Sequence, residues 1–157
     1  MNIYDKLSIA AFTDNIKQVT VGCIVYSFSK GILLLKRKPD DFLGNIYEIP
    51  GGKVEVDETI PCAIDRELKE ETGYDLISII RYVDFFDYLS AKNKKSRQFN
   101  FYIETDYSID PILSEHVAHI WLPIKMISET SLVTNELKKT LIKFSDILRC
   151  DYYDKKE

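Results

Sequence analysis

Hydrophobic and polar residues follow two different periods along this chain. Runs rich in β-branched and aromatic residues, which are typical of β-strands, cover residues 18–28, 32–38, 46–49, 76–88, 96–105 and 119–123. Between the third and fourth runs, Ile60, Ile64 and Leu68 repeat at i, i+4 and i+8, the apolar stripe of an amphipathic helix. Thr59 is a suitable N-cap and Gly73 a suitable C-terminal glycine, so the pattern predicts a helix over residues 60–72.

A second helix is predicted over residues 135–148, where apolar side chains recur on one helical face. Strands before and after a central helix, followed by a terminal helix, predict an α/β sandwich with a mixed sheet. Residues 1–17 lack clear caps and are described as an N-terminal extension of uncertain structure. Residues 18–150 form the single predicted domain, and residues 151–157 are predicted to be a frayed tail.

The composition argues against several classes of protein. The 25 acidic residues outnumber the 21 basic residues, and the net charge of −4 is unlike that of a protein that binds a nucleic-acid polymer. No segment approaches the ~20 apolar residues of a membrane helix, so no membrane association is expected. The N-terminus lacks the apolar core of a signal peptide. The three scattered cysteines are typical of reduced thiols, which favours a cytoplasmic location.

The helix over residues 60–72 carries more acid than packing requires. Glu67, Glu70 and Glu71 lie at i, i+3 and i+4, where like charges repel, and Glu58 stands just before the helix. A solvated acidic face is the ordinary explanation of such a cluster. Here, however, the acids adjoin the apolar stripe and follow two glycines that bring backbone carbonyls close. Oxygen ligands grouped in this way suit a hard divalent cation such as Mg²⁺ or Mn²⁺.

Residues 52–74, GKVEVDETIPCAIDRELKEETGY, resemble the Nudix box. That pattern is Gly, five residues, Glu, seven residues, Arg-Glu, an aliphatic residue, any residue, Glu-Glu, any residue, Gly and an aliphatic residue. The matching positions are Gly52, Glu58, Arg66, Glu67, Leu68, Glu70, Glu71 and Gly73. Tyr74 replaces the final aliphatic residue, and we interpret this departure as a variation in packing.

The resemblance implies a Nudix-type α/β/α sandwich with a mixed β-sheet and a pyrophosphohydrolase that depends on Mg²⁺ or Mn²⁺. It implies that Glu67, Glu70 and Glu71 bind the metal, with the Gly52 carbonyl and Glu58 as further members of the metal site. It also implies that Arg66 orients these carboxylates. In several members of the family the general base is an acid on a later loop, and Glu115 is the candidate here; a loop acid paired with a nearby base is the alternative.

The segment YEIPGGK, residues 47–53, resembles the MutT-like branch of the family, which acts on nucleoside triphosphates. The expected reaction converts a nucleoside triphosphate, ordinary or modified, to the monophosphate and pyrophosphate. The alternatives are hydrolysis of a nucleotide sugar or dinucleotide, and a sensor of the same fold that binds nucleotides without cleaving them. None of the box glutamates is missing, which favours the enzyme.

Residues outside the box are candidates for binding a small nucleotide substrate. The candidates for phosphate contacts are Arg37, Lys38, Lys53 and Arg97, and ordinary surface charge is the alternative for each. The candidates for stacking on a base are Tyr47, Phe85, Phe86, Phe99 and Phe101, although aromatic residues more often belong to a core. His116 and His119 are expected to be structural or surface residues, because zinc sites need more ligands. A monomer or a homodimer is expected.

Overall fold

The computed structural model describes residues 1–155, which form three α-helices, seven strands and one 3-10 helix. Their order along the chain is α1 (Ile3–Thr13), β1 (Gln18–Ser27), β2 (Gly31–Lys36), β3 (Tyr47–Glu48), β4 (Gly51–Lys53), α2 (Ile60–Thr72), β5 (Leu76–Leu89), β6 (Lys95–Thr105), β7 (Ala118–Leu122), the 3-10 helix (Ile124–Glu129) and α3 (Asn135–Asp154). Each of the six predicted strands is present with ends within two residues of the prediction. The short strand β4 is an addition, since its glycines were expected to form a turn.

The strands form one sheet in the order β3-β2-β1-β6-β5, with β4 paired to β1 and β7 paired to β2. The long central strands β1 and β6 run parallel, from Gln18 opposite Ser96 to Val25 opposite Ile103. The other pairs are antiparallel. The predicted mixed sheet is therefore confirmed.

Both faces of β1 and β2 are buried, which accounts for their nearly continuous apolar sequence. Because side chains alternate along a strand, Cys23 and Leu33 join a cluster with the apolar residues of α1 and α2. Ile24 and Leu34 join a second cluster with the apolar residues of α3. Helices thus cover both faces of the sheet, and the predicted α/β/α sandwich is confirmed.

Both chain ends are more helical than the sequence predicts. In the N-terminal extension, the side chain of Asn2 accepts a hydrogen bond from the backbone N–H of Asp5 at 2.9 Å and caps α1. This helix buries Leu7 and Ala11 against the sheet. Helix α3 continues to Asp154, so residues 151–154 are helical and not a frayed tail, while residues 156 and 157 lie outside the described part. None of the helices in residues 1–155 combines the length and apolar character that crossing a membrane requires.

Candidate active site

Helix α2 presents a face that is partly acidic to strand β4. The Thr59 side chain accepts a hydrogen bond from Cys62 N–H, and Gly73, with φ of 75°, ends the helix in the left-handed conformation. These caps agree with the prediction and fix which residues face the sheet. The buried face contains the apolar stripe, but it also contains Glu67 and Glu71. Two carboxylates are therefore held inside the fold.

The glycines of β4 allow this close approach. The backbone N–H of Gly51 donates a hydrogen bond of 2.9 Å to Glu71 Oε2. A methyl group added at Gly52 would overlap the carboxylate of Glu67. Both glycines pair with β1, opposite Gly22 and Val21, so the approach is fixed by the sheet. The glycine backbone thus lies against the acids, but the contact is made by the N–H of Gly51 and within a strand, whereas the sequence predicted carbonyls at a turn.

Arg66 joins most of the remaining acids. Its Nε and Nη2 donate to the two oxygens of Glu58 at 2.8 and 2.9 Å, a paired contact that orients both groups. Its Nη1 donates to Glu67 at 2.7 Å and to Glu70 at 3.3 Å, and Nη2 also reaches the carbonyl of Lys53 at 2.7 Å. Because both Glu58 oxygens already face donors, this arrangement favours a supporting role for Glu58.

The carboxylates differ sharply in their pKa values. Burial raises the pKa of Glu71 to about 9; the Gly51 N–H opposes this shift, and the charges of Glu48, Glu67 and Glu115 add to it. Burial also raises the pKa of Glu67, against the effect of Arg66. The hydrogen bonds from Arg66 instead lower the pKa of Glu58. The site thus groups more buried carboxyl groups than its own arginine can keep ionised, and a bound cation would favour their ionised form.

The acids border a cavity of about 740 Å³. Glu67, Glu70, Glu71, Gly51 and Gly52 lie on one side of it, and acidic side chains outnumber basic ones around it. This volume is in the range of small-molecule sites.

Glu115 reaches the same cavity from the loop before β7. The Ser114 hydroxyl donates to the backbone carbonyl of Glu70 at 2.7 Å, and Val117 N–H donates to the Lys36 carbonyl at 3.0 Å. The loop is therefore attached on both sides of Glu115. The structure brings this acid, which is distant in sequence, next to the box residues.

Glu48 and His116 are site residues that sequence reasoning missed. His116 Nε2 lies 2.8 Å from Glu48 Oε1, and Arg37 Nη1 lies 3.2 Å from Glu48 Oε2. All three residues border the cavity, and the His116 side chain is only 5% exposed, so of the two expected roles the structure favours the structural one. His119 lies outside the cavity lining, 3.8 Å from Asp110. A contact between positions 48 and 116 leaves no local sequence signal, although the position of Glu48 beside the glycines was a hint.

The predicted substrate residues separate into two groups. Arg37 and Lys53 border the cavity as expected. Tyr47 does not, because alternation along β3 directs Glu48 to the cavity and Tyr47 to the apolar cluster below α3. Tyr47 therefore does not lie at the cavity, where the sequence predicted it to bind substrate.

The other aromatic candidates and two basic candidates also lie outside the cavity lining. Phe99 and Phe101 are fully buried core, Phe86 packs on the cluster below α3, and Phe85 meets Phe99 edge to face. Lys38 is exposed, and Arg97 is bound by Asp87 and Asp14. The aromatic side chains that do border the cavity are Phe42 and Tyr88.

The donor set suits a hard divalent cation. Within residues 1–155, no three His, Cys, Asp or Glu side chains are grouped tightly enough to enclose a metal as they stand. The hydrogen bonds of Arg66 and Gly51 hold the carboxylates instead. The buried Glu67 and Glu71 nevertheless offer carboxyl oxygens beside the backbone of Gly52, and among the described residues no nitrogen or sulfur ligand stands with them in the cavity lining except His116. This chemistry fits Mg²⁺ or Mn²⁺.

Comparison with known proteins decides the family. The family model described as "NUDIX domain" matches residues 16–144. The chain belongs to the Nudix family. Among curated proteins, an 8-oxo-dGTP diphosphatase of Buchnera aphidicola is 32% identical over 109 residues, which cover 64% of this chain and 85% of that protein. An 8-oxo-dGTP diphosphatase of Haemophilus influenzae is 32% identical and covers 67% of this chain and 74% of that protein.

A shorter match and a solved structure complete the comparison. An ADP-ribose pyrophosphatase of Methanocaldococcus jannaschii is 55% identical, but over only 42 residues, which are 27% of this chain and 24% of that protein. The crystal structure of a MutT protein from Methanosarcina mazei superposes with a TM-score of 0.74 at 22% identity, covering 82% of this chain and 93% of that one. The protein is thus a MutT-like Nudix hydrolase, which acts on phosphorus anhydrides, and such hydrolases require a divalent cation.

Proposed function

We propose that this Nudix hydrolase converts a nucleoside triphosphate to the monophosphate and pyrophosphate. The observation that carries the proposal is the excess of buried carboxylate at Glu67 and Glu71 beside open glycine backbone, at one side of a cavity of about 740 Å³. A divalent cation bound between the carboxylates and the triphosphate compensates the negative charge of both, and the rest of the cavity has room for a nucleoside. The 8-oxo-dGTP diphosphatases among its relatives support this class of substrate.

We assign the metal to Glu67, Glu70, Glu71 and the Gly52 carbonyl, with Mg²⁺ preferred and Mn²⁺ as a substitute. When bound, the cation neutralises the pyrophosphate and lowers the pKa of a coordinated water. Arg66 positions the carboxylates through its contacts with Glu58, Glu67 and Glu70. Arg37 and Lys53, on the cavity border, are placed to contact phosphate oxygens.

Glu115 is the proposed general base. It is exposed to the cavity, so its carboxylate remains available to take a proton from the attacking water. We expect Glu115→Gln to lower kcat by ~100-fold or more while KM changes little. Steady-state kinetics on the preferred nucleotide measure this. A rate near that of the unmodified protein would return the role of base to a box glutamate.

A panel of nucleotides tests the proposed reaction. Natural and oxidised nucleoside triphosphates, ADP-ribose and dinucleoside polyphosphates are compared at equal concentration with Mg²⁺ and with Mn²⁺, and pyrophosphate is distinguished from phosphate in the products. We expect the triphosphates to give the highest kcat/KM and pyrophosphate as the product. Faster hydrolysis of ADP-ribose or a dinucleotide would overturn the proposed substrate class, and nucleotide binding without hydrolysis would favour the sensor.

The cellular setting is part of the proposal. Cys23, Cys62 and Cys150 are free thiols, which suits the reducing cytoplasm. A small nucleotide, and no nucleic-acid polymer, is the proposed partner. A monomer or a homodimer remains the expectation.

A further inference from the structure

Two amide side chains form a relay from the core to the cavity. Gln98 Nε2 lies 2.8 Å from Asn100 Oδ1, and Asn100 Nδ2 lies 3.0 Å from Asp84 Oδ1. Asn100 is fully buried, whereas Gln98 borders the cavity. Thr140 of α3 is the second neighbour of Asn100 Nδ2, at 3.4 Å. The catalytic proposal above does not use this relay.

The carboxylate of Asp84 fixes the direction of every hydrogen bond in the relay. An ionised carboxylate only accepts hydrogen bonds, so the group of Asn100 that faces Asp84 must be its NH₂. Asn100 then turns its carbonyl oxygen to Gln98, which must donate through its own NH₂. The Thr140 hydroxyl is consistent with this direction, because it donates to the Glu136 carbonyl at 3.4 Å and accepts from Asn100. Gln98 is therefore left with its carbonyl oxygen as the unused group.

The carbonyl oxygen of Gln98 has no hydrogen-bond partner among the described residues. A methyl group added at Gly22 would overlap both amides, so glycine on β1 provides the space in which the relay lies. The sheet also fixes the position of Gln98 relative to the phosphate end. Lys53 of β4 pairs with Thr20 of β1, and Thr20 pairs with Gln98 of β6. Gln98 is thus two strand spacings, about 10 Å, from the Gly51–Lys53 strand.

The geometry points to Gln98 as a residue that determines base specificity, with Asn100 and Asp84 as positioning residues. If the pyrophosphate lies at β4, as the proposed function requires, the base lies farther along the cavity floor, where Gln98 stands. A fixed carbonyl oxygen there accepts a hydrogen bond from the base. The exocyclic amino group is the donor that projects farthest from the ring, so the site selects amino-bearing bases such as guanine, adenine or cytosine over their amino-free counterparts.

Matched nucleotide pairs test this assignment. GTP is compared with ITP, ATP with purine riboside triphosphate, and CTP with UTP, each in the full chain with Mg²⁺. We expect the amino group of the preferred base to raise kcat/KM by about tenfold, mainly through KM, which is typical of one hydrogen bond made without strain. Gln98→Leu should reduce this ratio to about one, because the leucine side chain cannot accept a hydrogen bond.

Two further variants separate the relay from general damage. Asp84→Asn removes the obligate acceptor, because an amide can turn either its oxygen or its NH₂ to Asn100. Both orientations of the relay then become possible, and we expect the amino-group ratio to fall with kcat nearly unchanged. Gln18→Leu is the matched control, because Gln18 borders the same cavity outside the relay; its ratio should equal that of the unmodified protein. A ratio near one in the unmodified protein for every pair, or equal ratios before and after Gln98→Leu, would overturn the assignment.

The same pairs can be built into nucleotide sugars or dinucleotides, if the protein prefers those. If the proposed substrate class is wrong, nucleotide sugars or dinucleotides will be hydrolysed faster than triphosphates. Failure of the Gln98 assignment is seen in the amino-group ratio within whichever class is hydrolysed.

Discussion

Two arginines, Arg66 and Arg97, are surrounded by acids in this protein, yet the two regions have opposite character. Arg97 is 5% exposed and binds Asp87 through Nε and Nη2 at 2.7 and 2.9 Å, with Asp14 at 2.8 Å. The ring of Phe85 lies 4.2 Å from its guanidinium carbon. Arg66 contacts three acids, and Glu71 and Glu115 stand beyond its reach in the same cavity.

The difference is visible in the pKa values of the acids. Hydrogen bonds from Arg97 lower the pKa of Asp87, which is the sign of a compensated pair. Around Arg66, its hydrogen bonds lower the pKa of Glu58, but burial raises the pKa of Glu67 and raises the pKa of Glu71 to about 9. Ion pairs alone therefore do not mark a functional site in this fold. Buried carboxyl groups with raised pKa values mark it, and the Arg97 region serves instead to attach α1 to β5 and β6.

Removing a carboxylate from the Arg66 region should have the largest effect on activity. Glu71→Gln keeps the side-chain volume and can still accept the Gly51 N–H, but it removes a negative charge that the cation needs. We expect kcat to fall by ~100-fold or more with Mg²⁺ present, and likewise for Glu67→Gln. Circular dichroism confirms the fold of each variant. Activity within a few-fold of the unmodified protein in both would contradict the assignment of metal ligands.

Removing the arginine from the Arg97 region should affect stability and not chemistry. Arg97→Met keeps an apolar stem against Phe85 but leaves Asp87 and Asp14 without their partner. Because both acids are partly exposed, we expect a loss of about 1–2 kcal/mol in the free energy of unfolding. Urea denaturation measures the loss, and kcat should stay within a few-fold. A large fall in kcat at full stability would show that this region also acts in the site.

The pH dependence of stability should distinguish the two regions without any cation. In the folded state Glu71 holds its proton up to about pH 9, whereas the unfolded chain releases it near the ordinary value for glutamate. The stability that protonated Glu71 contributes is therefore fully present below the pKa of this glutamate in the unfolded chain, and it is lost as pH rises toward 9. We expect the melting temperature in EDTA to fall between pH 6 and pH 9, and Glu71→Gln to reduce this slope. The lowered pKa of Asp87 has the opposite effect: the stability that this ionised carboxylate contributes is present at neutral pH and is lost only as the pH falls into the acid range. Equal slopes in both proteins would contradict the assigned role of Glu71.

The catalytic side of the site was largely predictable from sequence because it is local. Glu67 and Glu71 share a helical face with the apolar stripe, and helical geometry alone places them together. The strands and their limits were also predictable, since their buried runs stand between clear turn residues. Strand β4 was missed because glycines carry little strand propensity and pair here through the neighbouring strand.

The recognition side of the cavity was not predictable, because its residues meet only through the tertiary fold. Glu48 meets His116 across 68 positions, and Gln98 meets Gly22 through the parallel pairing of β1 and β6. Tyr47 was misplaced because the sequence does not show which face of a two-residue strand is turned to the cavity. Arg97 was misassigned because its partner Asp14 belongs to a segment whose structure the sequence left uncertain.

Cation-specific stabilisation tests the central claim most directly. If Glu67 and Glu71 hold the cation, a cation at ten times its Kd stabilises the folded protein by about 1.4 kcal/mol, or about 3–5 °C in melting temperature. Differential scanning fluorimetry is run with Mg²⁺ or Mn²⁺ against a monovalent salt of equal ionic strength. We expect the shift in the unmodified protein and in Arg97→Met, and its loss in Glu67→Gln/Glu71→Gln. Equal shifts in that double variant and the unmodified protein would place the cation elsewhere and contradict the account.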